Sequence, residues 1–141
     1  MPPTPDRTLH MRIDKQLFDD IESYRKLAGR PKEERVSFLL EVGILVVHRN
    51  PKYRFAQEAS DPIHPAPKMD RDLHCKIDDN LRGMLEEKAG RYGLSLHAMA
   101  RVLIRTVLAE NRRWAQGVRL IDKEELVELI LKHQPLPQRV N

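Results

Sequence analysis

Leu9-His10-Met11-Arg12-Ile13-Asp14 returns sixty-four positions later as Leu73-His74-Cys75-Lys76-Ile77-Asp78. The same offset, without a gap, pairs Asp6 with Asp70, Arg7 with Arg71, Leu17 with Leu81, Glu22 with Glu86, Gly29 with Gly93 and Leu39 with Leu103. The chain is a tandem repeat of units of roughly 40 residues. Within the repeated stretch Leu9, Met11 and Ile13 alternate with Thr8, His10 and Arg12, and Leu73, Cys75 and Ile77 alternate with Asp72, His74 and Lys76. Period two predicts a strand with one buried face. A lone strand with three apolar side chains has no stability of its own, and even a hairpin needs a helical layer beneath it. The repeat supplies the partner strand.

Length and cysteine content point the same way. The 141 residues would ordinarily suggest one domain, but the repeat divides them into two short units. A unit of about 40 residues lies at the size where folding needs disulfides, metal or association. One cysteine allows no intrachain disulfide, which leaves association between the units. The formal charge of +4 comes from 25 bases interleaved with 21 acids, and the sequence pI is near 9.4. This balance is compatible with a nucleic-acid partner without requiring one. The start of the chain, Met1-Pro2-Pro3-Thr4-Pro5-Asp6, has no apolar core of a signal peptide, and the longest apolar stretch, 38–47, is broken by Glu41. No export signal or membrane span is expected, and the lone cysteine fits a reducing cytoplasm.

Taken in order, residues 1–6 read as a disordered, proline-rich arm. The first unit, 7–49, opens with the strand at 7–13. Asp14 follows as a helix N-cap, then Leu17, Phe18, Ile21, Tyr24 and Leu27 at helical spacing, and Gly29 as terminator. After Pro31 a second helix runs through Phe38, Leu39, Leu40, Val42, Ile44, Leu45, Val46 and Val47. It is apolar on nearly all sides and belongs at the centre of the core. Gly43 in this helix costs about 1 kcal/mol against alanine; it marks either a close helix crossing or mere tolerance. A proline-rich linker, 50–70, separates the units. At about 3.3 Å per residue it reaches some 60 Å, ample to lay the second strand antiparallel beside the first.

The second unit, 71–110, repeats the pattern: a strand at 71–77, Asp78 as N-cap, a helix with Leu81, Met84, Leu85, Lys88 and Ala89, then Gly93. Ser95 caps a second helix that sends Met99, Val102, Leu103, Thr106 and Val107 toward the core. The remaining segment, 111–141, holds an extra helix and a basic tail. Asp122 and Glu125 have capping-box spacing, and Leu126, Val127, Leu129 and Ile130 form a stripe that covers either the core or another protein.

Strand, helix, glycine turn and helix, repeated in register, resemble the ribbon-helix-helix family of DNA-binding proteins over 7–48 and 71–110, about three-quarters of the chain with the linker included. The resemblance implies a mainly α fold with a two-stranded antiparallel ribbon: a tandem ribbon-helix-helix, or single-chain pseudo-dimer, plus a C-terminal helix. In such a fold the outer ribbon face enters the major groove. It would bring Thr8, His10, Arg12, Asp72, His74 and Lys76 to base edges, with Arg12 bidentate to guanine, Lys76 a single-point donor and Asp72 an acceptor from a cytosine amine. Phosphate contacts are expected from Ser95, Arg30 and Lys32 at the second helix N-termini, whose free amides favour an anion, and from Arg7 and Arg71 on the strands. The two strands differ, so an asymmetric DNA site is expected.

Among tandem members the chain resembles the TraY-like accessory proteins of conjugative relaxosomes. The residues that carry this are His48-Arg49-Asn50-Pro51-Lys52-Tyr53 and His74-Cys75-Lys76-Ile77-Asp78-Asp79, and the extra helix at 123–133 departs from the pattern. The partners implied are double-stranded DNA, a relaxase or other relaxosome protein, and further copies of the chain on DNA. Two other readings stand beside it: a transcriptional repressor or antitoxin-type regulator using the same ribbon, and an interaction adaptor that does not bind DNA and works through its C-terminal stripe.

No enzyme is expected, because no phosphate-cradling glycine loop, carboxylate pair with a defined cleft or Ser-His arrangement is visible. No cofactor is implied, and no metal either, since His64, His74 and Cys75 lack ligand spacing and Cys75 points inward. Trp114 is expected to pack the C-terminal helix against the core, with stacking on a partner as the alternative.

Overall fold

In the computed structural model, which describes residues 7–56, 59–61, 68–115 and 121–133, the two alternating stretches form strands. Strand β1 is Arg7–Ile13 and β2 is Arg71–Ile77. They pair antiparallel, with His10 opposite His74 at the centre, Leu9 opposite Cys75, Met11 opposite Leu73, Thr8 opposite Lys76 and Arg12 opposite Asp72. Each residue of the central pair therefore faces its own copy in the repeat. Leu9, Met11, Ile13, Leu73, Cys75 and Ile77 are buried on one face, as the pleat requires of a ribbon sealed on one side. The expected arm at 1–6, much of the linker and the tail beyond 133 lie outside the described residues.

Each strand runs directly into a helix through an aspartate. Asp14 accepts a hydrogen bond from the Leu17 amide at 3.2 Å and opens α1, Lys15–Ala28; Asp78 accepts from the Leu81 amide at 2.7 Å and opens α3, Asp79–Tyr92. Such caps each contribute about 1 kcal/mol. Gly29 and Gly93 close the two helices at φ 64° and 68°, the left-handed conformation that side chains disfavour. Helix α2, Lys32–Arg49, starts after Pro31 with no side-chain cap, whereas α4, Leu96–Ala115, has the Ser95 hydroxyl accepting from the Ala98 amide at 3.1 Å. The last helix, α5, is Lys123–Lys132, and its N-cap Asp122 makes no side-chain cap bond.

Helix α2 is the central element, packed against β2, α3, α4 and α5. Val36, Leu39, Leu40, Val42, Ile44 and Val47 are fully buried in it. A Cβ placed on Gly43 would lie 2.7 Å from the Leu103 Cβ of α4, so the glycine marks a close crossing. The α5 stripe is turned inward: Leu126, Val127 and Ile130 are buried, and Lys123–Glu41 at 3.0 Å and Arg49–Glu124 at 2.9 Å tie α5 to α2. Trp114 donates to Glu110 at 2.8 Å and lies 4.3 Å from the His133 ring, joining the end of α5 to α4. No helix among the described residues is long and apolar enough to cross a membrane.

Two features depart from a purely apolar core flanked by a polar connection. Tyr53 is buried and contacts Phe55, which in turn contacts Tyr92, while the Tyr92 hydroxyl donates to the Tyr53 carbonyl at 2.7 Å. The segment after α2 thus adds to the core. Lys88 is 2% exposed, with its ammonium 3.3 Å from Glu87, and its repeat equivalent is Tyr24. Its methylene stem fills space there as a ring does in the other half.

Burial pushes the Cys75 thiol up to about 12, and the residue is enclosed on the inner ribbon face. A thiol held neutral and enclosed does not attack thiol reagents. Labelling of Cys75 is expected to be negligible in native buffer and to rise with denaturant in step with the loss of helix. Fast labelling of the fully helical protein would show the ribbon opening on its own.

Candidate nucleic-acid interface

The strand alternation that buries six side chains turns Thr8, His10, Arg12, Asp72, His74 and Lys76 to the opposite, exposed face. All six residues singled out as base contacts therefore share one side of the ribbon. At the centre the His10 and His74 rings meet edge-on with centroids 4.1 Å apart. At one end Arg12 and Asp72 form a cross-strand ion pair at 3.5 Å, each side chain 68% exposed. So exposed a pair contributes little to stability, but it orients the guanidinium across the face and gives Asp72 a cationic neighbour. At the other end Lys76 stands opposite uncharged Thr8. The face is polar in the directional sense: a neutralised pair at one end and, opposite an uncharged residue, a cation at the other.

The expected phosphate contacts are less uniform. Arg30 is exposed and 3.9 Å from Glu34. Lys32 is drawn onto α1, with its ammonium 3.6 Å from Glu22 and 4.6 Å from the centre of the Phe18 ring. Arg71 lies over the same ring at 5.9 Å. Ser95 is exposed, and its hydroxyl serves its own helix as cap. Arg7 opens β1, and its side chain lies outside the described residues.

Several residues bordering the ribbon escaped the sequence reading. On α2 the Ser37 hydroxyl donates to the Lys76 carbonyl at 2.8 Å and accepts from the Lys76 amide at 3.2 Å. On α4 Arg101 donates from Nη1 to the Arg12 carbonyl at 3.2 Å. Position 101 is the repeat equivalent of 37, as 76 is of 12, so both strand edges are held at corresponding places by different chemistries. Free strand edges demand partners, and here the flanking helices provide them. Arg101 is gripped in turn by Asp61 of the linker, which also binds Arg105, and Arg105 binds Asp14 at 2.6 Å. Burial works against ionisation of Asp61, but hydrogen bonds and charge from Arg101 and Arg105 outweigh it and hold the carboxyl below its usual range.

His97, near the start of α4, joins His10, Arg12, Asp72, His74 and Arg101 around a shallow depression beside the outer face. Among the described residues no group of three or more His, Cys, Asp or Glu is placed to hold a metal ion.

No family model, curated protein or solved structure matches the chain.

Proposed function

We propose that the chain is a tandem ribbon-helix-helix protein, two units in one chain, that binds double-stranded DNA by inserting its β1–β2 ribbon into the major groove. The observation that carries this reading is the register: His10 opposite His74, with Thr8, Arg12, Asp72 and Lys76 flanking them on a single exposed face. A two-stranded ribbon fits the major groove, where each base pair presents a distinct donor and acceptor pattern. Arg12 reads guanine through its paired donors, Asp72 steadies it or accepts from the neighbouring cytosine, and Lys76 makes a single-point contact at the far end. The ends are unlike, so the site read is asymmetric and is occupied in one orientation. We place this activity in a conjugative relaxosome, where the protein would mark a transfer origin and assist a relaxase. A repressor or antitoxin-type regulator would use the same face.

Selection from random DNA tests the reading. The expected outcome is an asymmetric motif, bound by one chain, with affinity falling steeply as salt rises because phosphate contacts release counterions. A salt slope near zero, with no motif enriched, would instead point to an interaction adaptor, working through a surface other than the α5 stripe, which is buried against the core. Binding to an operator-like inverted repeat would favour the repressor or antitoxin-type regulator.

Pairing of β1 with β2 within the chain has a further consequence. Dilution leaves the concentration of one strand about the other unchanged, so melting temperature and DNA-binding fold are expected to be independent of protein concentration. A midpoint that falls on dilution would mean that strands pair between chains.

A further inference from the structure

We propose that Arg101, locked by the linker residue Asp61, is a positioning residue that sets the Arg12 end of the ribbon for base reading, while Ser37 does the same for the Lys76 end. The proposal rests on the DNA-reading function above and assigns part of its specificity to residues that do not touch DNA.

In a two-stranded ribbon the outward-reading side chains are only as well placed as the backbone that carries them. The residue at each reading end has its backbone taken by a helix. Lys76 is held through both its amide and its carbonyl by the Ser37 hydroxyl. Arg12 is held through its carbonyl by Arg101 Nη1. A serine hydroxyl is short and fixed by its helix, but an arginine has a long stem and must itself be fixed. Asp61 does this: its Oδ1 accepts from Arg101 Nε at 3.0 Å, and its Oδ2 from Nε at 3.2 Å and from Nη2 at 2.8 Å. The fork geometry leaves the guanidinium a single orientation, with Nη1 aimed at the strand.

The lock extends to the strand's other boundary. Arg105, one turn further along α4, donates to Asp61 at 2.6 Å and to Asp14 at 2.6 Å, and Asp14 is the cap residue that ends β1. The side chains of Arg101 and Arg105 are each 13% exposed, Asp14 9% and Asp61 28%, so these contacts are partly shielded from competing water. The repeat equivalents of Arg101 and Arg105 are Ser37 and Glu41, and Glu41 instead binds Lys123 of α5. Each half of the repeat thus has its own device, and among the described residues the Arg12 device is the one that recruits the linker. The connection between the units is part of the reading head as well as a tether.

Two substitutions in the full-length chain separate positioning from bulk stability. Arg101→Met keeps the stem and leaves the Asp61–Arg105–Asp14 pairs in place while removing the donor to Arg12. Asp61→Asn removes the lock. Affinities are measured by competition on the selected site and on its single base-pair variants, alongside thermal melts.

Both substitutions are expected to reduce discrimination at the base pair read by Arg12 by roughly tenfold, within the range of a good bidentate contact, with preference at the Lys76 end unchanged. Ser37→Ala is expected to give the mirror result. Equal loss at both ends, or a loss of melting temperature with specificity intact, would overturn the proposal and leave Asp61 a stabilising bridge. If the wild-type chain shows no base preference at all, the DNA-reading function itself fails. A wild type that discriminates at both ends, with variants that do not differ by end, sinks only the positioning role.

Discussion

Gly43→Ala is expected to destabilise the fold by about 1–3 kcal/mol, although alanine is the better helix former by about 1 kcal/mol. The two effects oppose one another, and the geometry decides the sign. A Cβ at position 43 would sit 2.7 Å from the Leu103 Cβ and 3.3 Å from its Cγ and Cδ2. The nearest atom is fixed to the α4 backbone, so no rotamer change relieves the contact, and α2 and α4 must move apart. That separation disturbs the buried layer around Leu39, Leu40, Ile44, Leu103 and Ile104. The control lies in α3, where a Cβ at Gly83 or Gly90 would meet nothing within 4 Å. Alanine there is expected to stabilise by about 0.5–1 kcal/mol, the ordinary helix gain. Denaturant titration of the three variants checks the inversion; a stabilising Gly43→Ala would mean that the helices separate at no cost.

That crossing also shows where sequence reasoning stopped. Strand alternation and the Asp14, Asp78, Gly29 and Gly93 caps were legible because they are local: period two sets the burial of a strand, and a cap is settled within four residues of its own helix end. The repeat then made the cross-strand register readable. Gly43 was ambiguous because a glycine in an apolar helix looks the same whether a neighbour approaches or not, and its repeat equivalent is Val107.

The Asp61 lock was illegible for a different reason. Asp61 lies in the segment without a repeat copy and meets Arg101 forty residues on, a distance at which spacing carries no signal. A hint did exist. Arg101 and Arg105 lie one turn apart in a helix rich in core residues, at positions where the other half has Ser37 and Glu41, and two cations there call for an acid from elsewhere. Lys32 carries a contact the sequence did not announce: its ammonium lies near Glu22 and over the Phe18 face of α1. The α5 stripe could not be assigned from sequence because an amphipathic helix does not encode which surface it covers; burial of Leu126, Val127 and Ile130 against the core settles that.

Arg12→Ala is expected to weaken binding to the selected DNA site by about 1–3 kcal/mol, roughly 5- to 150-fold, and to relax preference at one base pair. The fold should barely notice, because Arg12 is mostly exposed and its partner Asp72 equally so; such surface changes stay within about 0.5 kcal/mol. The pattern of loss identifies the contact. A guanidinium bidentate to guanine is lost only for sequences that carry that guanine, and the salt slope stays as it was. A guanidinium on phosphate is lost equally for all sequences, and the slope falls by about one. Asp72→Ala sharpens the distinction. Removing the carboxylate takes a negative charge away from the DNA face and frees Arg12 from its cross-strand partner, so affinity for unselected DNA should rise while discrimination at the Arg12 position falls. If discrimination survives Asp72→Ala unchanged, Arg12 finds its base unaided, and the ion pair across the ribbon has no part in reading.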